Sequence, residues 1–171
     1  MGFYNHNKSI GAEMKNAFME VALSEAELAF NSGEIPVGAV IVKDGKIISK
    51  AHNLRETNQN ALCHAEVVAI EDACKKLGRW RLDDCDLYVT LEPCAMCCGA
   101  ITQAKIRRLY FGAYDHKGGF AVSNASLLEH PGLMHRVEYY CGIMEDECSA
   151  LLRCFFERMR QNDNSSSMEE D

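Results

Sequence analysis

Leu87-Tyr88-Val89-Thr90-Leu91-Glu92-Pro93-Cys94-Ala95-Met96-Cys97 is the stretch on which the fold turns. Residues 87–91 form an unbroken run of aliphatic, aromatic and β-branched residues, the signature of a buried strand. Pro93 then suits the start of a helix over 94–104, because the N–H it lacks would find no intrahelical partner there. A strand that passes straight into a helix is the building unit of an α/β sheet, and such switches are where α/β proteins place ligands.

Working outward, residues 64–77 have helical spacing through Val67, Val68, Ile70, Ala73 and Leu77, and Gly78 stops them. Residues 37–42 are continuously apolar. Asp44-Gly45 and then Lys46-Ile47-Ile48 follow, which predicts two strands joined by a tight hairpin. Residues 12–32 predict a helix, with Met14, Phe18, Val21, Leu23, Leu28 and Phe30 as its apolar positions and Gly33 and Pro36 beyond its end. Downstream, 109–111 reads as a strand, 112–124 as a long loop and 136–140 as a last strand. A final helix spans 145–160, with Cys148, Leu151, Leu152, Phe155 and Met159 on its apolar side. The alternation predicts an α/β sheet covered on both faces, and the opening hairpin makes it mixed.

The 171 residues predict a single domain over 1–160 and a disordered acidic tail over 161–171. Asp163, Glu169, Glu170 and Asp171 carry −4 of the net −7. Between 100 and 120 the balance reverses, with Lys105, Arg107, Arg108 and Lys117 against Asp115. The overall charge therefore neither demands nor forbids an RNA partner. Residues 1–10 are polar with no apolar segment of a secretory signal, and no run of about 18 apolar residues occurs, so a cytoplasmic protein with no membrane partner is expected. Nine cysteines, an odd number, argue against a disulfide framework and for reduced thiols, some of them metal-binding.

Taken alone, Cys94-x-x-Cys97 is a weak signal in a chain with this many cysteines, and His64-x-Glu66 is weaker. Together they are coherent, because each opens a predicted helix. Two cysteines three apart on a first turn share one face and can hold one ion. The helix N-terminus favours the thiolate that binds metal. A histidine from a second helix start completes three N/S ligands, which suits Zn²⁺ and leaves a fourth position for water. Glu66 stands close enough to move protons without being forced into coordination. Cys63 and Cys98 flank these residues and remain competing ligands.

His64-Ala65-Glu66 followed by Pro93-Cys94-Ala95-Met96-Cys97 resembles the signature of the zinc-dependent nucleobase deaminases, the cytidine/deoxycytidylate deaminase superfamily. The wider run is more specific. Glu34-Ile35-Pro36-Val37-Gly38-Ala39, His52-Asn53, Phe111-Gly112-Ala113, His130-Pro131-Gly132, His135-Arg136-Val137 and Cys148-Ser149-Ala150-Leu151-Leu152 with Phe155-Phe156 resemble the bacterial tRNA-specific adenosine deaminases, from about residue 12 to 160. The resemblance implies a cytidine deaminase-like three-layer α/β/α fold with a mixed five-stranded sheet, and a homodimer. It implies hydrolytic deamination of adenosine to inosine at wobble position 34 of a tRNA anticodon. One zinc per chain would be held by His64, Cys94 and Cys97, with Glu66 as the catalytic proton carrier and Asn53 reading the base. Asp115, Lys117, Phe156 and Arg160 are the further candidates for contact with the anticodon arm, Phe156 because it lies off the apolar stripe of its helix. The segment Phe120-Ala121-Val122-Ser123-Asn124 departs from the family, which usually has another Gly and a Ser-Leu pair after the Lys117 segment.

Three rival readings keep parts of this pattern. A deaminase of free cytosine, cytidine, dCMP or guanine would keep the zinc and the Glu. A thiol-disulfide protein would use Cys94-x-x-Cys97 alone. A metal-stapled scaffold would close the site with a fourth ligand from Cys98 or Cys63.

Overall fold

A computed structural model describes residues 12–166, with the side chains of 12–14 and 163–166 left aside. The predicted signal-free start at 1–10 and the last five residues lie outside the described range.

Among the described residues five strands form one mixed sheet in the order β2-β1-β3-β4-β5. They are β1 (Gly38–Lys43), β2 (Lys46–His52), β3 (Cys85–Leu91), β4 (Arg108–Ala113) and β5 (Glu138–Tyr140). β1 is antiparallel to both β2 and β3, while β3, β4 and β5 run parallel. Asp44 and Gly45 close the β1–β2 hairpin with φ of 49° and 71°. That is the conformation a two-residue turn needs to match strand twist, and Asp-Gly is among the pairs that adopt it readily.

Among the described residues four α-helices cover the sheet: α1 (Ala12–Asn31), α2 (Ala65–Leu77), α3 (Ala95–Gln103) and α4 (Glu145–Ser166). Side chains alternate along each strand, so Ala39, Ile41, Leu87, Val89, Leu109 and Phe111 pack with Ala65, Ala69, Cys98 and Ile101 of α2 and α3. Val40, Val42, Tyr88 and Tyr110 point the other way, to Met19 and Ala22 of α1 and Cys148 of α4. Apolar residues on both faces explain why 37–42 and 87–91 read as continuous runs. The result is the expected α/β/α sandwich.

Two helices depart from their predicted apolar faces. The buried line of α1 is Met19, Ala22, Ala26 and Ala29, whereas Leu28 is half exposed. The cause is Gly38: a Cβ there would stand 2.6 Å from the Ala26 nitrogen and closer still to the Ala22 carbonyl oxygen. α1 thus lies backbone to backbone on β1, and only small residues fit that contact. α4 runs to Ser166, so residues 161–166, expected in the tail, are helical. On α4, Phe155 is buried edge-on against Phe30 of α1, with ring centroids 5.7 Å apart. Phe156 and Met159 are 47% and 43% exposed. Phe155→Ala is expected to destabilise the fold by about 3 kcal/mol in chemical denaturation, with Phe156→Ala close to neutral.

Candidate metal centre and active site

Both chemical segments sit where the fold turns from loop or strand into helix. His64 is the N-cap of α2 and Cys94 the N-cap of α3, each in extended backbone and neither using its side chain as a cap. Their side chains are therefore free to turn toward each other. Cys97 lies on the first turn of α3. His64 Nδ1 is 3.7 Å from Cys94 Sγ and 3.6 Å from Cys97 Sγ. The three donor atoms all lie within 4.8 Å of one another, and they are the only such group of three among the described residues.

The competing thiols are placed elsewhere. Cys98 is fully buried in the α2/α3-side core and its Sγ donates to the Pro93 carbonyl at 3.6 Å. Cys63 accepts from Asn58 Nδ2 at 3.6 Å. Neither joins the three-donor group, so the site has no fourth protein ligand from the flanking cysteines.

The donor set fits a zinc ion in its protonation chemistry as well. A hydrogen bond from Cys97 draws Cys94 down to about 4, against its burial and helped by the His64 ring. Cys97, as the proton's holder, is pushed up. The bond to Cys94 raises His64. Two sulfurs and a ring nitrogen thus compete for protons that a dication would displace.

Glu66, on the first turn of α2, is 3% exposed, and its Oε2 has no hydrogen-bond partner. Burial pushes its carboxyl above the usual carboxylate range. A buried carboxyl oxygen left without a partner is costly, by about 1–3 kcal/mol. It is the expected state of a group that completes its bonding only when water and substrate enter.

Asn53 follows β2 and is buried at 7% exposure. Its Nδ2 donates to Glu34 Oε2 at 3.3 Å. The same carboxylate accepts from Glu56 N at 3.2 Å and Thr57 N at 2.6 Å. Burial alone would raise the Glu34 carboxyl, but these bonds outweigh it and hold it below the usual range. Glu34, which nothing in the sequence singles out beyond its motif, therefore fixes both the Asn53 amide and the start of the following loop. With Nδ2 turned to Glu34, Asn53 presents Oδ1 as its free acceptor.

The other candidates lie apart. Asp115 and Lys117 share the loop after β4, where Asp115 Oδ1 accepts from Lys117 N at 3.0 Å and Gly118 N at 2.9 Å. Lys117 is exposed, as are Phe156 and Arg160 on α4. The basic stretch is split. Arg107 is bidentate to Asp86 at 2.9 and 3.1 Å, and Arg108 pairs with Glu138 at 3.0 Å. Both stand at the start of β4, beside the start of β3. Cys94 follows the far end of β3, about 17 Å along the strand at its usual rise. Lys105, in the turn before β4, is on that distant side too.

A mixed sheet with three N/S donors at two helix starts and a buried carboxyl with one unpartnered oxygen is arranged for metal-assisted hydrolysis. The model for the zinc-binding region of cytidine and deoxycytidylate deaminases matches residues 12–113, and the chain belongs to that family. Among its relatives, the tRNA-specific adenosine deaminase of Aquifex aeolicus is 49% identical over 150 residues, covering 86% of this chain and 97% of its own. That of Bacillus subtilis is 46% identical over 144 residues, covering 84% and 89%. A solved structure from work on A-to-I editing by tRNA:A34 deaminases at the wobble position is 44% identical. It superposes with a TM-score of 0.77 and covers 79% of this chain and 98% of that one.

Proposed function

We propose that this chain hydrolyses adenosine to inosine at wobble position 34 of a tRNA anticodon, acting as a homodimer, and that His64, Cys94 and Cys97 hold its one zinc per chain. The near-full-length similarity to tRNA-specific adenosine deaminases carries the reading. Zinc, when bound, acidifies water at neutral pH and so supplies the nucleophile. Glu66 takes a proton at Oε2 and returns one to the nucleobase side as ammonia leaves. Asn53 offers Oδ1 to a donor edge of the base, with Glu34 preventing the amide from turning over. A base inside a folded loop must be extruded to reach such a buried group. The exposed Lys117 and Arg160 then meet backbone phosphates, Asp115 shapes the Lys117 turn, and Phe156 offers a stacking face to a splayed base. Among the described residues no helix is long and apolar enough to cross a membrane.

Incubation with total tRNA is expected to yield inosine at position 34, with free adenosine, cytidine and guanine turned over far more slowly. Equal turnover of a free nucleoside or base would make the chain a small-molecule deaminase. Charge reversal separates the two halves of the basic stretch. Lys117→Glu and Arg160→Glu are expected to weaken tRNA binding about tenfold each at low salt, while Arg107→Glu, on the distant edge and already paired, leaves the electrostatic grip on tRNA unchanged. A titration of labelled tRNA against each variant reads this directly.

A further inference from the structure

Glu92 is a second buried carboxylate, 2% exposed, that stands at the end of β3 just before Pro93 and Cys94. No Lys or Arg pairs with it among the described residues. Its partners are instead the backbone of the loop that follows β4. Oε1 accepts from Val122 N and Ser123 N at 2.8 Å each, and Oε2 from Asp115 N at 3.1 Å and from the Ser123 hydroxyl. The neighbouring Pro93 carbonyl accepts from Phe120 N at 2.9 Å. Gly119 is pressed into this junction: a Cβ there would stand 2.6 Å from the Asp115 carbonyl oxygen and closer still to the Glu92 carboxyl. Both ends of the segment 115–123 are thus tied to the two residues preceding a metal ligand, and the exposed Lys117 lies between those ends.

We infer that Glu92 is a positioning residue for substrate, setting where Lys117 stands relative to the metal centre by holding the two ends of its loop. The inference rests on the tRNA reading above. Three of the four bonds go to backbone N–H groups, so they do not depend on which side chains the loop carries. That is why Phe120, Val122 and Asn124 can depart from the family pattern without freeing the segment. The exception is Ser123, whose hydroxyl adds the one side-chain bond. A glutamine at 92 would present one oxygen and one NH₂ to donors only, and would turn part of the cradle from attraction to repulsion.

A positioning role differs from simple support in being exerted through Lys117, and a double-mutant cycle measures this. E92Q, S123A, K117A and the combinations E92Q/K117A and S123A/K117A are compared for zinc content, for tRNA binding across a salt series and for kcat and KM on tRNA. E92Q is expected to raise KM about tenfold, the scale of one charge-assisted hydrogen bond. Its zinc should stay at one per chain, and its salt slope should fall by about one phosphate contact, as in K117A. Each double variant should then bind no worse than K117A within about twofold. S123A should show the same pattern with a smaller loss, and it decides the matter alone if E92Q does not fold. Losses that multiply in the double variants would overturn the inference, as would loss of zinc in S123A, which would make the cradle a support for Cys94. Unchanged binding in K117A overturns it as well. A wild-type chain that leaves tRNA untouched overturns the tRNA reading itself, a result visible before any variant is made.

Discussion

Glu66→Ala is expected to keep one zinc per chain while deamination of tRNA falls by about 10²–10⁴-fold, the usual loss when a general acid–base group is removed. The two halves of this result have separate causes. Zinc should stay because the donors are His64, Cys94 and Cys97, a group that Glu66 does not join. Turnover should fall because no other carboxyl in the described residues has a buried oxygen left without a partner. A third readout follows from the same feature. Oε2 is desolvated without compensation, so its removal relieves a cost of about 1–3 kcal/mol. The variant should therefore melt at the same temperature or higher than the wild type, although it is nearly inactive. Metal analysis, single-turnover deamination and a thermal melt check the three parts. Zinc loss would make Glu66 a ligand, and near-normal turnover would reduce it to a buried charge.

Cys97→Ser and Cys98→Ser are expected to behave oppositely. Both positions lie on the first turns of α3 and both thiols are fully buried. Only Cys97 faces His64 Nδ1, while Cys98 turns to the Pro93 carbonyl. Serine at 97 replaces a soft thiolate by a hydroxyl that stays protonated at neutral pH. Zinc should fall well below one per chain and activity with it. Serine at 98 exchanges one weak donor for another in the core and should retain both, at a modest cost in stability. The metal content of the two purified variants decides it, and the reverse pattern would move the ligand to Cys98.

How much of this was legible in the sequence depends on the range of the interactions. The Asp44-Gly45 hairpin and the stop at Gly78 are local. Gly78 has φ of 64° and its N–H reaches back to the Cys74 and Lys75 carbonyls, a C-cap that the residue type announces. Helical spacing alone leaves Cys97 and Cys98 both open, because each shares a helix face with Cys94; the family resemblance chooses Cys97, and packing is what turns Cys97 to His64 and Cys98 to the Pro93 carbonyl. Glu34 and Glu92 look like surface acids in the sequence. Their role comes from N–H groups that lie about 20 and 30 residues away. Lys105, Arg107, Arg108 and Lys117 looked like one basic patch because they are close in sequence. β4 lies between them and carries the chain from one edge of the layer to the other, which sequence distance conceals.

The sheet's two borders constrain how copies of this chain can meet. β2 forms one margin, where Lys46 is exposed and Lys50 is tied to Glu25 of α1 at 3.3 Å. β5 forms the other and is only three residues long. A strand of a second molecule would meet the Lys46 charge at the first margin and too few ladder bonds at the second. Continuous sheets across two molecules, and the fibrillar growth that open margins invite, are both disfavoured. Helix and loop surfaces, which can be complementary in shape and finite in number, are then the ones left for copies of this chain to meet.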